Sequence, residues 1–408
     1  MGPIITQHGA SRSSKCRKIA IRGRSRFECY LLIMAQRVDP TRQVRVYIQS
    51  PPWFIRPRNT DWRYTRFSVP RIAMFEPTCS FYPARSQRTA LECNWRCLRN
   101  MLVHKLSPSM AEKRGSLIDR EEFARSGCQL VFCHDDFPNN ADGIAVVWQS
   151  SILDPEMERA RGMTDEQLIA VKTEKGTAFR QARFVQVATK AESVRLGKWF
   201  PDIAEKFVAV PFFLPGVRGI EETQLEEKLA HDGPLRCIFV GHEARRKGLA
   251  RVYDAFAALP AALQQRIELT VISRQSDGRI PAPALPNLTV HGALPFAETQ
   301  QLILRSDVFV MPSLYESFGL VFLEAMALGT IPIVPNWEVQ REIVDNGNAG
   351  LVASGESRDL AFTLERLSED RDFRVALARS AWQRFQSHFS PQIVVRKYCD
   401  LFCRAAQE

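Results

Sequence analysis

Two glutamates eight residues apart, Glu316 and Glu324, stand on either side of a glycine that opens a helical pattern. Carboxylates so placed can accept hydrogen bonds from hydroxyl groups, and the free N–H groups of a helix start can hold an anion between them. The stretch that carries them, Asp307 to Gly329, reads as strand, tight loop and helix in succession. Val308, Phe309, Val310 and Met311 form an apolar run that Pro312 and Ser313 stop. Glu316, Ser317, Phe318 and Gly319 turn the chain. Leu320, Leu323, Met326 and Ala327 then recur at helical spacing, and Gly329 ends the helix. Spacing alone also fits a plain βα unit with one surface and one core-edge glutamate.

A second cluster lies upstream. Gly241, His242, Glu243, Ala244, Arg245, Arg246, Lys247 and Gly248 follow another apolar run. Glycine at each end allows a tight turn and close ligand approach. Three consecutive cations before the next helix suit a diphosphate, although a solvated charged loop has the same composition. His291, Gly292, Ala293 and Leu294 follow a further strand, with Ser273 and Arg274 after the one before it. In the first half of the chain the candidates are His134, at the end of an apolar run, and Ser150, at the end of the next. A lone histidine there is more often structural than catalytic.

The elements that must hold these groups alternate between strands and helices. In the first half, strands are expected at Val44 to Gln49, Gln129 to Cys133, Ile144 to Trp148, Phe184 to Ala188 and Phe207 to Val210. Helices are expected at Ala90 to Leu106, Met157 to Arg180 and Ala191 to Trp199. Pro51 to Pro83 is rich in Trp, Arg and Pro, and prolines exclude a long helix there. Its aromatics could stack on bases or sugars, or pack a loop-rich lobe.

The second half starts afresh after the acidic stretch Glu221 to Lys228, read as a linker helix or loop. Strands are expected at Leu235 to Val240, Ile267 to Ser273, Leu288 to His291, Ile331 to Val334 and Gly350 to Ala353. Helices are expected at Leu249 to Leu259, Phe296 to Arg305 and Gln340 to Val344, with two over Arg358 to Gln386 and a last one from Pro391. The fold class is therefore α/β, with two Rossmann-like domains facing a cleft. The expected division is a basic arm over 1–28, a first Rossmann-like domain over 29–217, a second over 218–390 and a crossover helix over 391–408. That helix could pack back on the first domain.

The bulk numbers narrow the class. The chain has 408 residues, 45% hydrophobic and 25% charged, with a net charge of +10. These proportions are those of a globular protein of two or three domains. No apolar run is long enough to span a membrane as a helix. The basic balance fits anionic partners such as nucleotide phosphates or an acidic membrane face. Between Arg12 and Arg26 there are seven Lys or Arg and no acid. The ten cysteines form no C-x-x-C pair and read as reduced, buried thiols. The expected compartment is the cytoplasm, with peripheral attachment to the inner face of a membrane left open.

The order of these signals resembles the donor domain of retaining glycosyltransferases of the GT-B fold, glycosyltransferase family 4. The resemblance rests on Gly241 to Gly248, on His291 to Leu294, and on Pro312-Ser313, Glu316 to Leu320, Glu324 to Ala327 and Gly329. Glu342 to Val344 and Gly350 to Val352 extend it. It is strong over about residues 235 to 390, weaker over 120 to 215, and absent before that. It implies that Glu324 accepts hydrogen bonds from ribose hydroxyls and that Glu316 contacts the donor sugar. It also implies that the N–H groups of Ser317, Phe318, Gly319 and Leu320 hold phosphate, that Gly241, His242, Arg245 and Arg246 line the donor site, and that Lys247 neutralises the departing diphosphate. His291, Gly292 and Leu294 would flank the base.

The family acts without a metal, and no Asp-x-Asp pair is read as a metal site; no cofactor is expected beyond the nucleotide-sugar substrate. Three differences stand out. His242 occupies the place where the family usually has an arginine, a Gly-rich loop near the chain start is missing, and Val147 to Ser151 lacks the family's first-domain histidine. The implied partners are a UDP- or GDP-sugar and a glycan or lipid-linked acceptor, not nucleic acid. Alternatives within the fold are a regulatory sugar-nucleotide-binding protein and a nucleotide-sugar epimerase; a phosphorylase would need a lysine motif that is not read here.

Overall fold

The computed structural model describes residues 44–49, 79–83, 118, 120–134, 137–138, 140–149, 154–212, 214, 217 and 219–407. The basic arm, the expected helix from Ala90 to Leu106 and all but the last five residues of the Pro51 to Pro83 stretch lie outside them. The described chain forms two parallel six-stranded sheets.

The first sheet holds β1 (Val44–Gln49), β2 (Cys79–Pro83), β3 (Leu130–His134), β4 (Ala145–Gln149), β5 (Phe184–Val187) and β6 (Phe207–Ala209). Their order is β2-β1-β3-β4-β5-β6. Central strands of such a sheet are buried on both faces, so they read as continuous apolar runs. Alternate residues of β3 show this. Leu130 and Phe132 enter one core, and Val131 and Cys133 enter the other. The second of these cores packs Phe179, Leu196 and Phe200 against the sheet.

The first-domain helices are α1 (Arg120–Ser126), α2 (Pro155–Ala160), α3 (Asp165–Gln181) and α4 (Lys190–Trp199). The single helix expected over Met157 to Arg180 is two. Gly162 has φ +91°, which breaks α2, and Thr164 opens α3 with a capping box to Gln167. Asp154 caps α2, accepting from the N–H groups of Glu156 and Met157. Thr189 caps α4 through the N–H of Glu192, 3.2 Å away.

Helix α5 (Glu222–Leu229) leads into the second sheet, with β7 (Leu235–Val240), β8 (Ile267–Ile272), β9 (Leu288–His291), β10 (Val308–Val310), β11 (Ile331–Pro335) and β12 (Leu351–Ala353). Their order, β12-β11-β10-β7-β8-β9, reverses direction between β7 and β10. In open α/β sheets the crevice beyond the carboxyl ends at such a point is the ligand site. The helices here are α6 (Leu249–Ala258), α7 (Ala261–Gln264), α8 (Phe296–Arg305), α9 (Leu320–Ala327), α10 (Glu338–Ile343), α11 (Ser357–Glu369) and α12 (Arg371–Arg384).

The last helix, α13 (Pro391–Gln407), returns to the first sheet. Its Val394, Val395, Tyr398, Cys399, Leu401, Phe402 and Ala405 share one buried core with Val46, Leu130, Phe132, Val147 and Phe184. Tyr398 and Phe402 each meet Phe132 at an edge-on angle. Full burial of an aromatic side chain contributes about 1.5–3 kcal/mol, so α13 covers what would otherwise be an open apolar face.

Candidate active site

The loops after β7 and β10 leave neighbouring strands at the reversal point and therefore meet. Their contact is close enough to dictate a residue. Gly248 has φ +83°, and a Cβ built there would sit 2.3 Å from the carbonyl oxygen of Pro312. Only glycine fits. Leu314 N–H donates to the Arg246 carbonyl at 2.8 Å and ties the two loops together.

This junction brings Lys247 and Glu316 into an ion pair, Nζ to Oε2. Glu316 is only 8% exposed. Arg246 Nη1 lies 3.6 Å from the same carboxylate oxygen. Arg246 also donates from Nε to Glu243 at 2.8 Å and from Nη1 to the Tyr315 carbonyl at 3.0 Å. Arg245 turns the other way. It is exposed, and its guanidinium lies against Gly278. Of the two arginines that could stand in for the family residue replaced by His242, Arg246 is the one at the glutamate.

His242 is exposed, and its carbonyl accepts from Ser276 N–H at 2.7 Å. Partial burial lowers its pKa, and the charges of Arg274 and Lys247 lower it further. Gly241 is buried against the Lys247 side chain, where a Cβ would come within 2.9 Å of Lys247 Cγ.

Beyond Glu316 the chain turns into α9 through Gly319, with φ +81°. The N–H groups of Ser317, Phe318, Gly319 and Leu320 donate to no acceptor among the described residues. A helix start in that state carries partial positive charge and is an anion site. Glu324 lies one turn further along α9, and Gln300 of α8 donates to its Oε2 at 2.7 Å. Burial pushes the Glu324 carboxyl up to about 7, against the opposing effect of the Gln300 hydrogen bond.

His291 ends β9, opposite Ile272, and its carbonyl accepts from Ser273 N–H at 3.2 Å. Gly292, which follows β9, is exposed, and Leu294 is half-buried against the second-domain core. On the other side, His134 is the last residue of β3, in register with Gln149. Ser150 lies outside the described residues.

Two glutamines were not singled out from the sequence. Gln300 fixes one oxygen of Glu324. Gln340 of α10 is fully buried, and its Nε2 donates toward the carbonyls of Glu316 (3.2 Å), Ser317 (3.3 Å) and Phe318 (3.0 Å). A glutamine among the apolar positions Val339, Ile343 and Val344 is the signal that could have found it, since a buried amide needs partners. Arg161, at the end of α2, also reaches the site. Its guanidinium lies 5.2 Å from the Tyr315 ring centre, with Arg246 at 5.4 Å from the same ring.

The molecule thus has the GT-B fold, two Rossmann-like domains with the described constellation at the switch point of the second. Residues 221–384 match the family described as Glycosyl transferases group 1, and the second domain is a domain of that family. A glycogen synthase from Mycobacterium tuberculosis is 32% identical over 183 residues, 42% of this chain and 43% of that protein. A D-inositol 3-phosphate glycosyltransferase from Arthrobacter is 32% identical over 204 residues, 45% and 47% of the two chains. The chain thus spans about half the length of these curated relatives.

Among solved structures, sucrose-phosphate synthase from Thermosynechococcus elongatus aligns with a TM-score of 0.58 at 16% identity, covering 89% of this chain and 99% of that one. Anabaena HepE, solved with UDP-glucose, gives a TM-score of 0.55 at 12% identity over 88% and 99%. At these identities the likeness is one of fold. Among the described residues no helix is long and apolar enough to cross a membrane.

Proposed function

We propose that the protein transfers a sugar from a UDP- or GDP-sugar to a hydroxyl acceptor in polysaccharide or glycolipid synthesis, with retention of anomeric configuration. The observation that carries this reading is the Lys247–Glu316 pair at the sheet's switch point, beside the unpartnered N–H groups that open α9. The diphosphate lies across those N–H groups, and Lys247 leaves Glu316 to meet it. Arg246 supports the same charge. Glu316, released from the pair, accepts from the donor sugar's hydroxyls, and Glu324 accepts from the ribose. His242, Gly241 and Arg245 border the diphosphate, and His291, Gly292 and Leu294 border the base.

The charge that grows on the departing diphosphate is met by cations and N–H dipoles fixed in advance. Such preorganised stabilisation is the largest catalytic contribution in many enzymes. The reading assigns that work to side chains and backbone, with no metal and no cofactor. On the acceptor side His134 and Ser150 are candidates. The relatives named above carry activities on glycogen and on a phosphorylated inositol, so a glycan and a phosphate-bearing acceptor are the first two to try. The basic balance suits a cytoplasmic protein in peripheral contact with an anionic membrane, which vesicle flotation at low and high salt would test.

The test is a transfer assay with UDP-glucose, GDP-mannose and ADP-glucose against both acceptor types, with and without EDTA. Proton NMR of the product reads the anomer. Transfer with retention, undiminished by EDTA, is the expected result. Donor epimerisation with no acceptor present, or tight donor binding with no turnover, would overturn it in favour of an epimerase or a regulatory binding protein.

A further inference from the structure

Helix α10 touches three separate parts of the molecule. Glu338 and Glu342 are one turn apart and share a face. Glu338 pairs with Arg195 of α4. The Glu342 carboxylate accepts from the N–H groups of Lys190 and Ala191, both at 2.8 Å, and so caps the first turn of α4. That turn belongs to the first domain. Gln340 points from the opposite face of the helix to the Glu316–Phe318 carbonyls. Arg384 of α12 holds the far end of α10 through the carbonyls of Glu342 (2.8 Å) and Ile343 (3.3 Å).

A trans peptide is planar, and its C=O and N–H point in opposite directions. Carbonyls of Glu316, Ser317 and Phe318 drawn toward Gln340 therefore turn the N–H groups of Ser317, Phe318 and Gly319 away from it. Those are the N–H groups at the start of α9 that have no acceptor among the described residues. One buried amide thus sets the direction of three peptide units.

We infer that α10 links the seating of the first domain to the donor loop, with Gln340 as the positioning residue for the diphosphate-binding N–H groups and Glu338 and Glu342 as the contacts that report the position of α4. The inference rests on the sugar-transfer reading for the identity of the ligand, but its mechanical part does not. When α4 moves, α10 moves with it, and Gln340 carries the change to the loop. The first domain then influences donor affinity without touching the donor.

The experiment has two arms on the full chain. In the first, Gln340→Met keeps the volume and removes the donor. UDP, GDP and ADP, and the matching nucleosides, are titrated by calorimetry. The expected result is an affinity loss of about tenfold or more for the diphosphate and none for the nucleoside. Equal loss for both, or no loss, would overturn the role of Gln340. In the second arm, Glu338→Gln/Glu342→Gln is compared with wild type by amide hydrogen exchange without ligand. The expected result is exchange about tenfold faster at Leu314 and Phe322, whose N–H groups bond to Arg246 and Gly319 carbonyls, beyond any change in global stability. Faster exchange confined to the first turn of α4 would overturn the linkage. Wild-type protein that binds none of the three diphosphates would refute the sugar-transfer reading instead, and the exchange arm would still judge the linkage.

Discussion

The described strands of the two sheets end in different chemistry. At the second sheet, loops meet through charge: Lys247 and Arg246 converge on Glu316, and backbone N–H groups are left without acceptors. At the first sheet, β4 and β5 carry Gln149 and Gln186 side by side in register, both fully buried. Gln149 donates to the Tyr398 hydroxyl of α13 at 3.1 Å, and Gln186 donates to the Val187 and Val210 carbonyls. Gln149 thus ties α13 to the sheet through a neutral amide, while the Oε1 atoms of both glutamines are buried without a hydrogen-bond partner among the described residues. A half-buried ion pair costs more to keep out of water, and its attraction often fails to repay that cost. The difference teaches where the molecule retains interactions that a ligand can exchange into, and where neutral hydrogen bonds hold a helix on the sheet.

That contrast can be broken from either side. The largest expected effect is structural. Phe402 is fully buried between α13 and the first sheet, so Phe402→Ala should cost about 3–5 kcal/mol, read by chemical denaturation. Next is Lys247→Ala, which removes the cation beside Glu316. Transfer should fall by about 10²–10³-fold in kcat, by analogy with loss of one transition-state donor, in steady-state assays with saturating donor.

Gly248→Ala tests the loop junction. A Cβ at φ +83° and 2.3 Å from the Pro312 oxygen must move the two loops apart, at a cost of about 1–3 kcal/mol. The expected result is a weaker nucleoside diphosphate affinity by calorimetry, with a lowered Tm.

The smallest effect is on pH. The Glu324 carboxyl is raised to about 7 from a model-compound value of 4.5. The folded state therefore binds more protons than the unfolded one between these values. Its contribution to stability is fully present below 4.5 and is lost as pH rises through about 7. Relative to Glu324→Gln, the wild-type Tm should fall across that window. Nucleoside affinity should rise across it, because the ionised carboxylate is the better acceptor for ribose hydroxyls, and should stay flat in the variant.

Much of the second domain was legible in the sequence. Leu235–Val240, Leu288–His291 and Phe296–Arg305 have the bounds expected of them, because glycine, proline or a charge lies at or near most of their ends. The first domain was harder to read. Cys79–Pro83 is a strand at the end of a stretch whose prolines and arginines hide it. The break at Gly162 was masked by charged residues that suit a helix on both sides.

Pairings between distant segments were not legible at all. Glu342 meets Lys190 across 152 positions, and no local pattern announces that. Spacing and resemblance together singled out Glu316, Glu324 and Lys247, whereas Gln300 and Gln340 touch other residues of the loop and helix and carry no motif. Strand order followed from neither period nor composition, since the alternating β1 and the apolar β3 are neighbours inside one sheet.

The central claim is that the carboxyl end of the second sheet, on Lys247, Glu316 and the start of α9, holds a nucleoside diphosphate. Isothermal titration of wild type and Lys247→Ala with UDP, GDP and ADP tests it without any knowledge of the acceptor. At least one diphosphate should bind wild type with a Kd between about 1 μM and 1 mM, the span of ordinary substrate affinities, and bind the variant at least about tenfold more weakly. Binding by none of the three, or binding that Lys247→Ala leaves unchanged, would contradict the claim.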